Sequence, residues 1–268
     1  MTVRPATAAP PEFAVSVQRA FGRRAAEYER HAGLQRAVAW RLAGLCRHLP
    51  LAAGPRADLG AGSGLLSRAL LDRWPGLKEH PPLQLDHCPE LLGRNPLAGG
   101  AGGLLWDLNR GLPEGMRQAA LLASSFSLQW LEAPTRQLRG WAEALAPAGW
   151  LVLAVPCAGS FPQWRRAAAA AAVPCTALDL PVAHELVAAA GQAGLDLAVA
   201  RVHRFSRARQ GGRNTLRLLG GLGAVASRRP PLSSGQLRRL LRHWPDAAPL
   251  TWEVLVMVGR RPGIPRCA

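Results

Sequence analysis

The chain has 268 residues, of which 49% are hydrophobic, which is enough for a buried core within one domain. Its formal net charge is +16, from 33 Lys and Arg against 17 Asp and Glu, and so strong a positive surface attracts acidic partners. No apolar run approaches the ~20 residues of a membrane span, and five cysteines without C-x-x-C or His spacing indicate free thiols in a reducing cytosol, with no metal site.

Arginine supplies nearly all of the basic charge, because Lys78 is the only lysine in the chain. Two interpretations of this bias are open. It can mark a surface that attracts nucleic acid or a small acidic protein, or it can follow from a GC-rich genome, which favours codons for Arg, Ala, Gly and Pro.

Two segments precede the first predicted strand. Residues 1–12 are rich in Ala and Pro and lack a hydrophobic signal core, so we expect a disordered lead-in. Residues 13–49 carry apolar side chains at helical spacing, Val17 and Phe21 among them, which predicts one or two amphipathic helices. We expect a single domain over 13–261.

A glycine-rich turn lies between a predicted strand, 56–59, and a predicted helix, 65–74. It has glycine at three alternate positions: Gly60, Gly62 and Gly64. Glycine tolerates positive φ and allows a ligand close to the backbone, and the free N–H groups at a helix start face that ligand. The pattern indicates a nucleotide site in an open α/β sheet; the alternative is a purely structural turn.

The acidic residue before the turn limits which nucleotides could bind there. Asp58 lies near the end of the strand, and Leu65 stands where a dinucleotide fingerprint has its third glycine. A carboxylate here repels a pyrophosphate but attracts a cationic or amino-acid-bearing nucleoside. The pattern D-L-G-x-G-x-G resembles motif I of the Rossmann-like S-adenosylmethionine methyltransferases. This resemblance implies S-adenosylmethionine as cofactor, with Asp58 facing its methionine part.

The rest of the chain alternates strands with helices, which indicates a parallel sheet. Strands are predicted at 83–85, 103–106, 119–125, 150–155, 195–202 and 251–258, the last one antiparallel. Helices are predicted at 134–145 and 182–191, and helical insertions that form a lid over the substrate site at 157–181 and 205–246. The expected fold class is therefore α/β, a Rossmann-like methyltransferase fold with a mostly parallel sheet.

Two further acids follow neighbouring strands. Asp86 ends the second strand, about 20 residues after the glycines, where an acid can accept both ribose hydroxyls. Asp107 follows the third strand and could accept from the adenine amino group. No Arg or Lys accompanies Asp86 to bind a 2′-phosphate, which disfavours NADP. The alternative for each is a solvated acid at a strand end.

Other stretches carry a narrower resemblance. Residues 21–35, FGRRAAEYERHAGLQ, resemble the F-x-x-x-A-x-x-Y-x-x-x-A-x-x-Q signature of malonyl-[acyl-carrier protein] O-methyltransferases of biotin synthesis. Residues 124–130, SSFSLQW, look like that family's S-N-x-x-x-Q-W segment, with Ser125 in place of Asn. Residues 216–224 are similar to its arginine-bearing helix ending in G-A, although Gly220 stands where relatives often carry Lys. The resemblance runs from about 17 to 261.

The resemblance implies a monomeric cytoplasmic enzyme that methylates the free carboxylate of a malonyl thioester on acyl carrier protein. Tyr28 would donate its hydroxyl to that carboxylate and Arg217 would bind it bidentately, with Gln129 and Trp130 shaping the pocket. The residues implied to bind S-adenosylmethionine are Asp58, Gly60, Gly62, Gly64, Asp86, Asp107 and Ser125.

Two alternatives are open at this stage. One is another S-adenosylmethionine-dependent methyltransferase, acting on a small acid or on RNA, although no RNA-binding appendage or N-P-P-Y-type motif is present. The other is a cofactor-binding protein without activity, which the intact acids and glycines disfavour.

Overall fold

The computed structural model describes residues 12–208, 211–245 and 249–263. The predicted lead-in, 1–12, lies outside these ranges except for Glu12, which is the first residue of helix α1. Within the described ranges no helix is both long and apolar enough to cross a membrane.

The centre of the structure is a seven-stranded sheet in the order β3-β2-β1-β4-β5-β7-β6. Its strands are β1 (Arg56–Leu59), β2 (Leu83–Asp86), β3 (Gly103–Leu105), β4 (Ala119–Ser125), β5 (Leu145–Pro156), β6 (Asp196–Arg207) and β7 (Leu250–Arg260). The first five strands pair in parallel, whereas β7 is antiparallel to both β5 and β6. The chain order reverses between β1 and β4, and such a switch point opens a crevice at the carboxyl ends of the strands.

Helices cover both faces of the sheet and its carboxyl edge. They are α1 (Glu12–Gly22), α2 (Tyr28–His31), α3 (Gly33–Cys46), α4 (Leu65–Arg73), α5 (Pro89–Leu92), α6 (Pro134–Glu143), α7 (Pro162–Ala170), α8 (Ala183–Gln192), α9 (Gly212–Gly221) and α10 (Ser234–Arg242). The last of these begins with a capping box, in which Ser233 and Gln236 satisfy each other's backbone N–H groups.

Residues of the central strands are buried on both sides, as expected for a parallel sheet. In β4, Leu122 packs in the core that contains Trp141 of α6, while its neighbour Leu121 packs in the core that contains Leu42 of α3. All four side chains are fully buried. The period-two alternation of a strand thus divides one apolar run between two cores. Packing in both cores holds the strand in place, and with it the strand end that carries the site.

The predicted α/β fold class is confirmed, with differences at element ends. Strand β5 begins at Leu145, five residues before the predicted start, because Leu145 already pairs with Ala119 ahead of an irregularity in the ladder. Strand β6 continues past the predicted end at 202 to Arg207, which pairs with Leu250. Residues 205–207, expected in a helical insertion, therefore belong to the sheet.

Candidate functional site

The glycine turn forms one wall of a cavity at the switch point, called the first cavity below. Gly60, Gly62 and Gly64 have φ of +73°, +53° and +84°, a conformation that glycine adopts without strain. A Cβ at Gly60 would overlap the side chain of Ser127, and one at Gly64 would overlap Asn95. A Cβ at Gly62 would make only an ordinary van der Waals contact, with Leu91 at 3.9 Å, so it is the positive φ rather than crowding that favours glycine there.

The first cavity collects residues from several parts of the chain. It is lined by the glycine turn, by the loops after β2, β3 and β4, and by α1 and α2, with Ala14, Gly62, Asp86, Trp106, Ser125 and Tyr28 among the lining residues. Gly64 is not part of the lining. Its role in the structure is to let the start of α4 pack against Asn95.

Asp58 carries an unsatisfied buried oxygen in this cavity. The residue is 1% exposed and lines the cavity. Its Oδ2 accepts from the backbone N–H of Ser67 at 3.2 Å and from the Ser67 hydroxyl at 2.7 Å, whereas Oδ1 has no hydrogen-bond partner in the described part of the chain. Burial raises the pKa of Asp58 to about 7. A cation beside Oδ1 would supply the missing partner and favour the ionised form.

Asp86 is held in place by two backbone donors. Its Oδ2 accepts from Gly62 N–H and its Oδ1 from Cys88 N–H, both at 2.7 Å. Burial raises the pKa of Asp86, and these two hydrogen bonds oppose the shift. A carboxylate offers about four acceptor sites, so an oriented acceptor remains on each oxygen for a pair of hydroxyl groups.

Asp107 and Ser125 line the same cavity from opposite sides of β1, Asp107 after β3 and Ser125 at the end of β4. Asp107 caps a short 3-10 helix, accepting from the backbone and side-chain N–H of Asn109 at 2.9 Å through Oδ1. The hydroxyl of Ser125 is buried, with no partner among the described residues. Together with Asp58 and Asp86, these side chains form a polar rim at the carboxyl ends of the strands.

The N-terminal helices α1 and α2 cover the first cavity. Phe21 of α1 packs edge-on against Trp130, with ring centroids 5.4 Å apart. Phe13 lies 6.5 Å from the same ring, and the Arg228 guanidinium sits 3.9 Å from the centroid of Phe13 while pairing with Glu132. Helix α1 is therefore tied both to the loop after β4 and to the segment after α9.

Tyr28 stands where α2 meets the first cavity. Its ring packs edge-on against Phe21, 6.2 Å between centroids. Burial raises the pKa of Tyr28, and the charges of Asp86 and Glu29 add to the shift. Glu29 in turn is ion-paired with Arg68 of α4, which fixes α2 against the helix that follows the glycine turn. The phenol therefore stays protonated and can act as a hydrogen-bond donor.

A second cavity adjoins the first. Residues that line both include Phe21, Tyr28, Gln35, Phe126 and Trp130. The far side of the second cavity comes from the segment after β5, from α9 and the segment that follows it, and from β7. Its side chains are mainly apolar: Phe161, Trp164, Leu180, Leu219, Val225 and Trp252. Tyr28 thus lies in a wall shared by a polar-rimmed cavity and an apolar one.

Two other predicted residues of the SSFSLQW segment also lie here. Gln129 lines the second cavity and donates from Nε2 to the carbonyl of Phe126 at 2.7 Å; its Oε1 is buried without a partner in the described ranges. Trp130 lines both cavities. The segment therefore places one amide and one indole on the same cavity as Tyr28.

Arg217 lies elsewhere. It is exposed on α9, its guanidinium donates to Asn214 at 3.2 Å, and it lines neither cavity. Among the described lining residues of the second cavity there is no Arg or Lys. The predicted carboxylate-binding role of Arg217 therefore has no contact with the cavities in this structure.

Sequence reasoning missed Gln35 and Trp164 as cavity residues. Gln35 is the last residue of the FGRRAAEYERHAGLQ stretch, so its position in that signature was a usable signal. Trp164 sits in an alanine-rich helix with no motif around it. It reaches the cavity only because α7 folds over the end of the sheet.

The first cavity fits S-adenosylmethionine. The unpartnered Oδ1 of Asp58 suits an ammonium group, the oriented carboxylate of Asp86 suits a pair of ribose hydroxyls, and Gly62, which lines the cavity without a side chain, lets a ligand approach the backbone. Asp107 adds an acceptor on one side of the cavity and Ser125 adds a hydroxyl on the other. Within the described residues no group of three His, Cys, Asp or Glu is arranged to hold a metal ion.

The chain is similar to several curated proteins, although no protein-family model matches it. It is 32% identical over 238 residues to the biotin biosynthesis bifunctional protein BioCD of Bordetella avium (85% of this chain, 48% of the relative). It is 32% identical over 146 residues to the malonyl-[acyl-carrier protein] O-methyltransferase of Xylella fastidiosa (51% and 46%). It is 33% identical over 138 residues to the trans-aconitate 2-methyltransferase of Streptomyces coelicolor (49% and 44%). The chain spans about half the length of these relatives.

Solved structures share the fold. A methyltransferase structure from Bacillus halodurans superposes with a TM-score of 0.58 at 12% identity, covering 82% of this chain and 98% of that one. Phosphoethanolamine N-methyltransferase 2 of Haemonchus contortus, solved with S-adenosyl-L-methionine, gives a TM-score of 0.52 at 15% identity, covering 94% and 60%. With the strand order, the glycine turn and the acids described above, the chain has the Rossmann-like fold of the methyltransferases and is similar in sequence to proteins named for biotin biosynthesis and for malonyl-[acyl-carrier protein] methylation.

Proposed function

We propose that the protein methylates the free carboxylate of a malonyl thioester carried on acyl carrier protein, with S-adenosylmethionine as methyl donor. The observation that carries the proposal is the shared wall. Tyr28 lines both the polar-rimmed first cavity and the apolar second cavity, so a donor in one and an acceptor in the other meet at its hydroxyl. The relatives named for biotin biosynthesis and for malonyl-carrier methylation support this choice of acceptor.

In this proposal the first cavity holds the cofactor. Asp58 pairs with the methionine ammonium group, Asp86 accepts the ribose hydroxyls, Asp107 accepts from the adenine amino group, and Ser125 adds a hydroxyl on the other side of β1. When bound, S-adenosylmethionine supplies a strongly electrophilic methyl group. Helix α1 excludes water from the cavity by covering it with Ala14 and Phe21.

The acceptor needs positioning more than activation. A malonyl carboxylate is already ionised at neutral pH, so no general base is required to make it a nucleophile. The second cavity, whose described lining is mainly apolar and carries no charged side chain, replaces part of the carboxylate's hydration shell. Tyr28, kept protonated by its raised pKa, donates to the carboxylate and aligns it. A neutral donor orients the anion without neutralising the charge that makes it reactive.

The rim of the second cavity fits an acidic carrier. Arg23 and Arg24 line a shallow surface depression together with Ala20, Gly220 and Val225, and Val225 also lines the second cavity. Both arginines are exposed. Acyl carrier proteins are small acidic helical domains whose prosthetic arm delivers the acyl group into a deep site. We propose that this pair of arginines steers the carrier to the mouth, and that the protein works as a cytoplasmic monomer.

The main alternative is methylation of a free small acid, since one relative is named a trans-aconitate 2-methyltransferase. One assay separates the two. Transfer of labelled methyl is measured to malonyl-acyl carrier protein, malonyl-CoA, trans-aconitate and bulk tRNA. We expect the carrier-borne thioester to give the highest kcat/KM. A preference for trans-aconitate or tRNA would contradict the proposal.

Tyr28→Phe tests the shared wall directly. The variant keeps the ring and its packing on Phe21, so the melting temperature and the S-adenosylmethionine affinity should persist. Methyl transfer should fall by about tenfold or more, because one aligning hydrogen bond is lost. A Tyr28→Phe enzyme with wild-type turnover would remove the hydroxyl from the mechanism.

A further inference from the structure

Trp164 presents an unused hydrogen-bond donor in the second cavity. The residue lies on α7 and lines that cavity. Its indole N–H is buried and has no acceptor among the described residues. The ring itself is well fixed, because it packs edge-on against Trp244 at 5.9 Å between centroids. A buried N–H without a partner is unfavourable, so this position is suited to an acceptor that arrives with a ligand.

The position of Trp164 indicates which part of the acyl group it meets. Tyr28 and Gln35 line both cavities, whereas Trp164 lines only the second. A carboxylate at the Tyr28 wall leaves the remainder of the acyl group to extend into the second cavity. In a malonyl thioester that remainder begins with one methylene group followed by the thioester carbonyl. The next acceptor oxygen along the substrate is therefore an uncharged carbonyl.

The surroundings of Trp164 favour an uncharged acceptor. The described lining of the second cavity contains no Arg, Lys or His that would compensate a second negative charge. A neutral carbonyl oxygen can accept from an indole N–H without such compensation. A free dicarboxylate or tricarboxylate would have to place another anion in the same apolar space.

We propose that the Trp164 indole N–H donates a hydrogen bond to the thioester carbonyl oxygen of the substrate. Trp164 then positions the acyl group and selects acyl thioesters over free di- and tricarboxylic acids. This inference rests on the proposed function, because it takes the carboxylate to bind at Tyr28.

The test pairs a protein change with a substrate change. Trp164→Phe removes the N–H and keeps an aromatic ring. The matched control is Trp244→Phe, which alters the same aromatic pair at a residue outside the cavity lining. Each enzyme is assayed with malonyl-acyl carrier protein and with a 2-carboxyethyl thioether on the same carrier, in which a methylene group replaces the thioester carbonyl. Melting temperature and S-adenosylmethionine affinity verify that each variant is folded.

We expect Trp164→Phe to lower kcat/KM for the thioester by about tenfold and for the thioether by less than about twofold, as for a single lost hydrogen bond. Trp244→Phe should change both substrates by the same factor. Equal losses on the two substrates with Trp164→Phe, or no loss on either, would overturn the assignment. The assignment of Trp164 would also be overturned if the wild-type enzyme methylated the thioether but not the thioester. A wild-type enzyme that methylated neither substrate would overturn the proposed function as well.

Discussion

The raised pKa of Asp58 predicts that S-adenosylmethionine binding depends on pH and releases a proton. Burial holds the pKa of Asp58 at about 7 in the free protein. The ionised form is the one that pairs with the methionine ammonium group, and that group, with a pKa near 7.7–8.0 for an α-amine, stays protonated below pH 7. Binding at lower pH must therefore remove the proton from Asp58.

The size of the effect follows from the titration. With a pKa of about 7, the ionised fraction of Asp58 rises from about 3% at pH 5.5 to about 50% at pH 7.0. The affinity should therefore increase about 16-fold over this range, which corresponds to ~1.6 kcal/mol. At pH 6.0 about 0.9 proton should be released from Asp58 for each cofactor bound, because about nine-tenths of the free protein is protonated there.

Isothermal titration calorimetry in two buffers of different ionisation enthalpy measures this proton release. Asp58→Asn is the matched variant, since its amide oxygen can still accept from Ser67. The variant should bind S-adenosylmethionine more weakly at pH 7.0. It should also lose the part of the pH dependence of affinity that comes from Asp58 and keep the part that comes from Asp86. Wild-type and Asp58→Asn proteins with the same pH dependence and proton release would refute the pairing of Asp58 with the ammonium group.

Three other changes test the turn, the ribose acceptor and the docking surface. Asp86→Ala should weaken S-adenosylmethionine binding by ~1.5–3 kcal/mol, because charge-assisted hydrogen bonds are lost; unchanged calorimetric affinity would exclude this acceptor. Gly60→Ala should destabilise the fold by about 1–3 kcal/mol, because it forces a side chain into positive φ against Ser127; a wild-type urea midpoint would contradict this. Reversing Arg23 and Arg24 to Glu should raise KM for the carrier-borne substrate but not for malonyl-CoA, and added salt should reduce the difference. Equal changes in KM for both substrates would show that these arginines act on the substrate pocket or on the stability of the fold.

The elements nearest the glycine turn could be predicted from sequence almost residue by residue. Strands β1 and β4 have the predicted bounds, since short apolar runs bounded by turn signals leave little freedom in an α/β sheet. The edge strand β6 was harder. Its exposed residues alternate only weakly with less exposed ones. Its length is set by pairing with β7, and the sequence of β6 alone does not reveal that pairing.

The candidate site was predictable where one motif carries it and hidden where the fold assembles it. Asp58, Gly62 and Asp86 come from adjacent strand ends, so the order of the strands alone brings them together. The second cavity joins segments more than 100 residues apart in the sequence, from Phe21 to Trp252. Trp164 has no local signature. The carboxylate-binding role of Arg217 rests on the family resemblance alone, and in the structure Arg217 lies on the exposed face of α9.

The attachment of α1 to two other segments has a kinetic consequence. Phe13 contacts Trp130 on one side and Arg228 on the other, and Phe21 lines both cavities. Because both cavities are lined by this helix, a movement of α1 would open the first cavity and the second together. Under the proposed function, release of the spent nucleoside and release of the methyl ester would then share one step. A substitution that loosens Phe13 or Arg228 would change the rates of both release events in the same direction and would admit water to both cavities.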